Sequence, residues 1–225
     1  MPEPADHPST DAGPVWTVVV AGGQGSRFGG AKQYVDLAGR RVLDWSVEAA
    51  RTVSDGVVVV VPAEDLDGAV AGADAVVAGG GSRSASVRCG LAAVPPAAAV
   101  VVVHDAARPA ASPALFRRVV DAVRAGADAV VPGVPVADTL RHRDGGTVDR
   151  DELVAVQTPQ GFRSDVLRTA HEHAGEATDD AGLVEAAGGT VTVVPGEPAN
   201  LKLTHPSDRV ALEATLAERT AGSAR

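Results

Sequence analysis

Short valine-rich runs over residues 17–21, 56–61, 75–77, 100–104 and 129–131 alternate with longer stretches of helical pattern. Short apolar runs of this kind read as strands buried on both faces, and helices between them force parallel neighbours joined by crossovers. The chain is therefore expected to form an α/β sheet with both faces covered. Helices are expected over 42–52, 63–69, 84–93, 113–125, 164–173, 178–187 and 207–219, the last opened by Pro206 with Ser207 as N-cap. Hydrophobic residues make up 45% of the chain but aromatics only 3%, so Val, Ala and Leu must build the core.

Residues 138–157 break the alternation. Thr139-Leu140-Arg141-His142 and Thr147-Val148-Asp149-Arg150 flank Asp144-Gly145-Gly146, a turn sequence that closes antiparallel hairpins. A two-stranded ribbon is marginal alone, and a second subunit is an economical surface for it to pack on, a solvent-exposed loop being the other reading. We expect one domain over residues 15–219, with loosely ordered ends at 1–14 and 220–225.

The 225 residues carry 20 Lys and Arg against 29 Asp and Glu, a formal charge of −9. This argues against a sequence-independent grip on nucleic acid, which needs a basic surface. An anionic substrate must then be held by a local cluster of cations. Cys89 is the single cysteine, so the chain can form no internal disulfide, and a reducing cytoplasm is the expected setting. No apolar run approaches the ~20 residues of a membrane span, and residues 1–14 are acidic and proline-rich, unlike a signal peptide.

In an open parallel sheet, ligands bind beyond the C-terminal ends of the strands. Three polar motifs stand there. After the first run comes Ala21-Gly22-Gly23-Gln24-Gly25-Ser26-Arg27, with Lys32-Gln33 close behind. Closely spaced glycines let backbone N–H groups approach an anion, and Arg27 and Lys32 add full charges. The spacing fits neither the dinucleotide fingerprint, whose third glycine position is Phe28, nor a P-loop. After the third run, Gly79-Gly80-Gly81-Ser82-Arg83 leads into Ser84 and Ser86, a small-residue helix entrance suited to a flat nucleobase. After the fourth come His104-Asp105-Ala106-Ala107-Arg108-Pro109. Asp105 is placed by a rigid strand, as a Mg²⁺ ligand near phosphates often is. His104 reads more readily as hydrogen-bonded structure than as a base, and Arg108 is expected to pair with Asp105 or orient it. Two cations, one carboxylate and a base pocket point to nucleotidyl transfer.

With Asp138-Thr139, Thr147-Val148-Asp149-Arg150, Gln157-Thr158-Pro159-Gln160, Thr178-Asp179-Asp180-Ala181 and Asn200-Leu201-Lys202 following in order, the chain resembles the 2-C-methyl-D-erythritol 4-phosphate cytidylyltransferases from about residue 15 to 216. The resemblance implies a Rossmann-like nucleotidyltransferase: a mostly parallel twisted sheet, helices on both faces and a protruding β-ribbon. It implies CTP and a polyol phosphate as substrates, Mg²⁺ held by Asp105, and a homodimer formed through the ribbon. Arg27 and Lys32 would stabilise charge on the α-phosphate and pyrophosphate. Arg150 and Lys202 would orient the polyol phosphate, with Thr139, Thr158 and Arg108 nearby, Arg150 acting across the dimer. Ala21, Gly22, Gly23, Gly25, Gly80, Gly81 and Ser86 would line the nucleotide site. Residues 28–31 are a shorter link than is usual in that family, and Ala31 and Ala199 stand where proline and an acidic residue are common. Two alternatives stay open: a ribitol 5-phosphate cytidylyltransferase, and a nucleotide-binding relative with weak turnover.

Overall fold

The computed structural model describes residues 13–23, 28–173 and 177–223. The central sheet begins with β1 (Val15–Val20) and is followed by a small hairpin, β2 (Asp36–Leu37) and β3 (Arg40–Arg41), that leads into α1 (Val42–Arg51). Next come β4 (Gly56–Val61), β5 (Ala75–Ala78), α2 (Arg83–Ala93), β6 (Val100–Asp105), α3 (Pro113–Arg124) and β7 (Ala129–Pro135). The excursion contains β8 (Leu140–Arg141) and β9 (Thr147–Val148), after which the chain returns through β10 (Val154–Val156) and β11 (Gln160–Arg163). It ends with α4 (Ser164–His173), α5 (Asp180–Ala186), β12 (Val191–Pro195) and α6 (Asp208–Ser223).

Strands β5, β4, β1 and β6 run parallel in that order, and antiparallel β11 lies between β6 and β7. The two halves of one edge of β7 pair with β11 and then β10, while β12 adds in parallel on β7. Every residue of β4 and of β6 is buried. Successive side chains alternate between two apolar layers, as strand geometry requires. Val57, Val59 and Val61 meet Leu43 and Val47 of α1 and the Leu115, Phe116, Val119 and Val123 stripe of α3. Val58 and Val60 meet Val87 and Leu91 of α2, in a layer that continues to Leu167 of α4 and Val184 of α5.

Local signals explain where the helices sit. Ser112 and Ser82 cap α3 and α2, their hydroxyls accepting the N–H of Leu115 and Ala85, and Pro113 occupies the first turn of α3. Helix α2 lies close on the sheet because residue 90 is glycine: a Cβ there would fall 2.4 Å from Val18 Cγ1.

Several boundaries differ from expectation. Residues 63–69 hold only a short 3₁₀ turn, Ala63–Asp65, because none of its residues is buried and Leu66 is exposed. The last helix starts at Asp208, whose carboxylate accepts the Thr204 and His205 N–H groups, and it runs past Arg219 to Ser223. Strands β10, β11 and β12 are not anticipated by the sequence pattern. The ribbon is present as read: Leu140 pairs with Val148 and Arg141 with Thr147, around glycines 145 and 146 at positive φ.

Candidate active site

The C-terminal ends of β1, β5 and β6 converge on a cavity of about 510 Å³. Ala21, Gly22 and Gly23 follow β1, Gly80, Gly81 and Ser82 follow β5, and Asp105 closes β6. Lys32, Gln33, Arg83, Ser86 and Lys202 also line it, with Val20, Ala106 and Ala107. Of the residues expected from the sequence, Ala21, Gly22, Gly23, Lys32, Gly80, Gly81, Ser86, Asp105 and Lys202 thus surround one space. Gly25 and Arg27 lie outside the described residues.

The glycine loop before α2 is built by contact. A Cβ at Gly80 would sit 2.5 Å from Ala85 Cβ, so the loop can fold back on the helix entrance only without one. Ser86 ties the turn, its hydroxyl donating to Ser82 O at 2.8 Å and accepting the Gly80 N–H at 3.2 Å.

Asp105 is the electrostatic centre of the cavity. Its Oδ2 accepts from Lys202 Nζ at 2.6 Å and its Oδ1 from Arg83 Nε at 3.4 Å. Burial works against its ionisation, but Lys202, Arg83 and Arg108 outweigh that and hold the carboxyl well below its ordinary range. Behind it runs a hydrogen-bonded chain. The Asp105 N–H donates to Thr158 Oγ1 at 3.0 Å, and the Thr158 hydroxyl pairs with His104 Nδ1 at 3.2 Å. His104 Nε2 then pairs with Arg108 O at 3.3 Å. Because a carbonyl only accepts, Nε2 carries the proton and Nδ1 receives the Thr158 hydroxyl. His104 is fully buried against Phe116, and burial lowers its pKa to about 4. It is a neutral structural group, as its place at a strand end suggested.

Some expected site residues sit elsewhere. Thr158 is buried behind Asp105, where both its donor and acceptor serve the chain just described. Arg108 makes no ion pair with Asp105; its Nη1 donates to Asn200 O at 2.8 Å and pins the loop that carries Lys202. Asn200 and Gln157 fasten the same loop, with Asn200 Nδ2 donating to Thr158 O and Gln157 Nε2 to Glu197 O. Thr139 and Arg150 are exposed on the excursion and do not line the cavity, and the Arg150 guanidinium donates to Ala137 O. Lys32 crosses to the far loop, where its Nζ donates to Leu203 O at 2.8 Å. The 28–31 link, short as it is, therefore still brings Lys32 to the cavity that Lys202 also lines.

Arg83 and Asp180 stand within sequence motifs that give neither of them a role. In the structure Arg83 joins the cavity to a buried Asp180, 97 residues away. No local pattern signals such a contact.

Comparison with known proteins supplies the deciding observation. Residues 15–218 match the family described as IspD: 2-C-methyl-D-erythritol 4-phosphate cytidylyltransferase. The chain belongs to this family. It is 46% identical over 219 residues to the 2-C-methyl-D-erythritol 4-phosphate cytidylyltransferase of Rhodococcus jostii (strain RHA1), covering 92% of this chain and 96% of that protein. It is also 44% identical over 229 residues to the bifunctional enzyme IspD/IspF of Nitratidesulfovibrio vulgaris (strain DP4), covering 88% of this chain. Of that longer relative the chain spans 57% of the length. Among solved structures, the 2-C-methyl-D-erythritol 4-phosphate cytidylyltransferase from Thermus thermophilus superposes with a TM-score of 0.76 at 40% identity, over 88% of this chain and 97% of that one. The IspD-like fold is the mostly parallel sheet described above.

The donor set also bears on a metal. Among the described residues no group of three or more His, Cys, Asp or Glu side chains could hold an ion by itself. Asp105 stands as a single carboxylate on the cavity wall. One carboxylate suits Mg²⁺ that arrives on substrate phosphates and keeps several waters.

Proposed function

We propose that the chain transfers the cytidylyl group of CTP to 2-C-methyl-D-erythritol 4-phosphate, releasing pyrophosphate. The observation that carries this reading is the meeting of Lys32, Lys202 and Asp105 around one glycine-walled cavity in a chain of the IspD family. A phosphate oxygen of the polyol attacks the α-phosphorus of CTP. The new P–O bond forms as the bond from the α-phosphorus to the bridging oxygen breaks, and that oxygen leaves with pyrophosphate. No side chain needs to form a covalent bond, so the protein's task is positioning and charge stabilisation.

Gly80, Gly81 and Ser86 receive the cytosine, whose flat ring needs a wall free of large side chains. Gly22 and Gly23 face the triphosphate. Lys32 stabilises the charge that grows on the α-phosphate and the leaving group, a role assigned equally to Arg27. Lys202 orients the polyol phosphate. Asp105 would hold Mg²⁺, which when bound neutralises phosphate charge.

We further propose a homodimer through the ribbon, with Arg150 completing the partner's site. In its own subunit Arg150 lies outside the cavity, and Leu140, Leu153, Val154 and Val156 leave an exposed apolar surface on the excursion and β10. The expected setting is the cytoplasm, on the ground of a single cysteine; no helix among the described residues is long and apolar enough to cross a membrane.

Phosphorus NMR of a mixture of protein, Mg²⁺, CTP and 2-C-methyl-D-erythritol 4-phosphate tests the reaction. Free pyrophosphate and a new diphosphate diester are expected together. Conversion of CTP to CDP and orthophosphate, or no change, would overturn the reading.

A further inference from the structure

Arg83 opens α2 between two carboxylates. Its Nη1 donates to Asp180 Oδ2 at 2.8 Å, whereas its Nε reaches Asp105 Oδ1 only at 3.4 Å. The short contact is to the residue away from the cavity wall. Asp180 is fully buried, and its other oxygen accepts from Nε2 of buried His171 at 3.0 Å. The preceding residue is equally fixed: Asp179 caps α5 by accepting the Gly182 N–H at 3.0 Å, and its second oxygen accepts from the Gln160 amide of β11 at 3.0 Å. Asp180 is thus held directly by His171 of α4 and, through the neighbouring Asp179, by β11, and the long Arg83 side chain conforms to it.

We propose that Asp180, anchored by His171, is a positioning residue that holds Arg83 to a long contact with Asp105 Oδ1, one that the metal–nucleotide complex can displace. The inference rests on the reading that Asp105 holds the metal. Charge counting gives it direction. Two carboxylates, Asp105 and Asp180, are ion-paired with two cations, Arg83 and Lys202, while Arg108 acts on Asp105 from farther off. With Asp180 neutral, Arg83 keeps a single carboxylate partner, and its guanidinium fork is shaped to close on it. An incoming divalent ion would then compete with two cations for one carboxylate.

The test uses Mn²⁺ as the probe, with its binding to the full chain read by electron paramagnetic resonance in the presence of saturating CTP. Asp180→Asn is expected to weaken Mn²⁺ binding by about 10–100-fold, the usual consequence of disturbing a group behind a metal ligand. Adding Arg83→Gln to that variant removes the competing cation and restores most of the lost affinity. A purely structural role for Asp180 predicts that the double variant binds as weakly as the single one or worse, and that result overturns the proposal. Should Asp180→Asn fail to fold, Arg83→Gln alone decides: Mn²⁺ binding as strong as in the parent supports the proposal, and weakened binding contradicts it. Asp105→Asn separates the two layers. Parent-like Mn²⁺ binding in that variant defeats the assignment of Asp105 itself. Loss of binding there, with none in Asp180→Asn, defeats the positioning role alone.

Discussion

Lys202 Nζ lies 2.6 Å from Asp105 Oδ2, so the cation assigned to the polyol phosphate rests on the carboxylate assigned to the metal. The two groups come from residues 97 apart and meet because Arg108 and Gln157 pin the loop that carries Lys202. On the proposed assignment, replacing Lys202 with Gln removes a charge that acts on the polyol phosphate and not on the base. KM for the polyol phosphate is expected to rise by about tenfold or more, with CTP affinity changed far less. Initial-rate kinetics with each substrate varied in turn measures the split.

Lys32 makes a different prediction. If its charge acts mainly where negative charge develops, Lys32→Ala lowers kcat by about 10²–10³-fold and leaves CTP affinity within a few-fold. Calorimetric CTP binding beside steady-state rates checks this, and equal losses in both would count against the role.

Thr158 is expected to act on stability as well as activity. Thr158→Val leaves the Asp105 N–H without its acceptor and His104 Nδ1 without its donor, at about 1–3 kcal/mol for each buried group. Thr158→Ser keeps both bonds. Urea unfolding should find the serine variant near the parent and the valine variant clearly below it.

His104 sets part of the acid limit. Its folded pKa, lowered to about 4 from an ordinary 6.5, means that the unfolded chain binds the proton first as pH falls. Its full contribution is present above pH 6.5 and is lost progressively as pH falls towards 4, about 3 kcal/mol for a shift of this size. Asp105, also depressed, adds stability that is present above its ordinary value of 3.8 and lost as pH falls below it. Denaturant titrations of the parent and of His104→Gln between pH 7 and 4.5 should show a flatter pH dependence in the variant. Parallel curves would contradict a buried neutral histidine.

The legible parts of the fold are those in which local pattern and burial agree. The runs of β4 and β6 are rich in valine where both sheet faces are covered, and Ser112-Pro113 marks the start of α3. Residues 63–69 suit a helix by propensity, but no apolar stripe gives one anything to bury. Strand β10 is hidden for a related reason: all three of its residues are exposed, so nothing in its pattern reports the pairing with β7. At the site, Lys32, Asp105 and the glycine loops can be placed because strand ends of a parallel sheet converge on one side. The roles of Arg83 and Thr158 cannot, since Asp180 and His104 reach them from distant segments through tertiary contact alone.

The most direct test of the central claim is pyrophosphate release from CTP with 2-C-methyl-D-erythritol 4-phosphate and, separately, with ribitol 5-phosphate, compared as kcat/KM. The methylerythritol phosphate is predicted to be the better substrate by a wide margin. A higher kcat/KM with ribitol 5-phosphate, or CTP binding with no release from either, would contradict it.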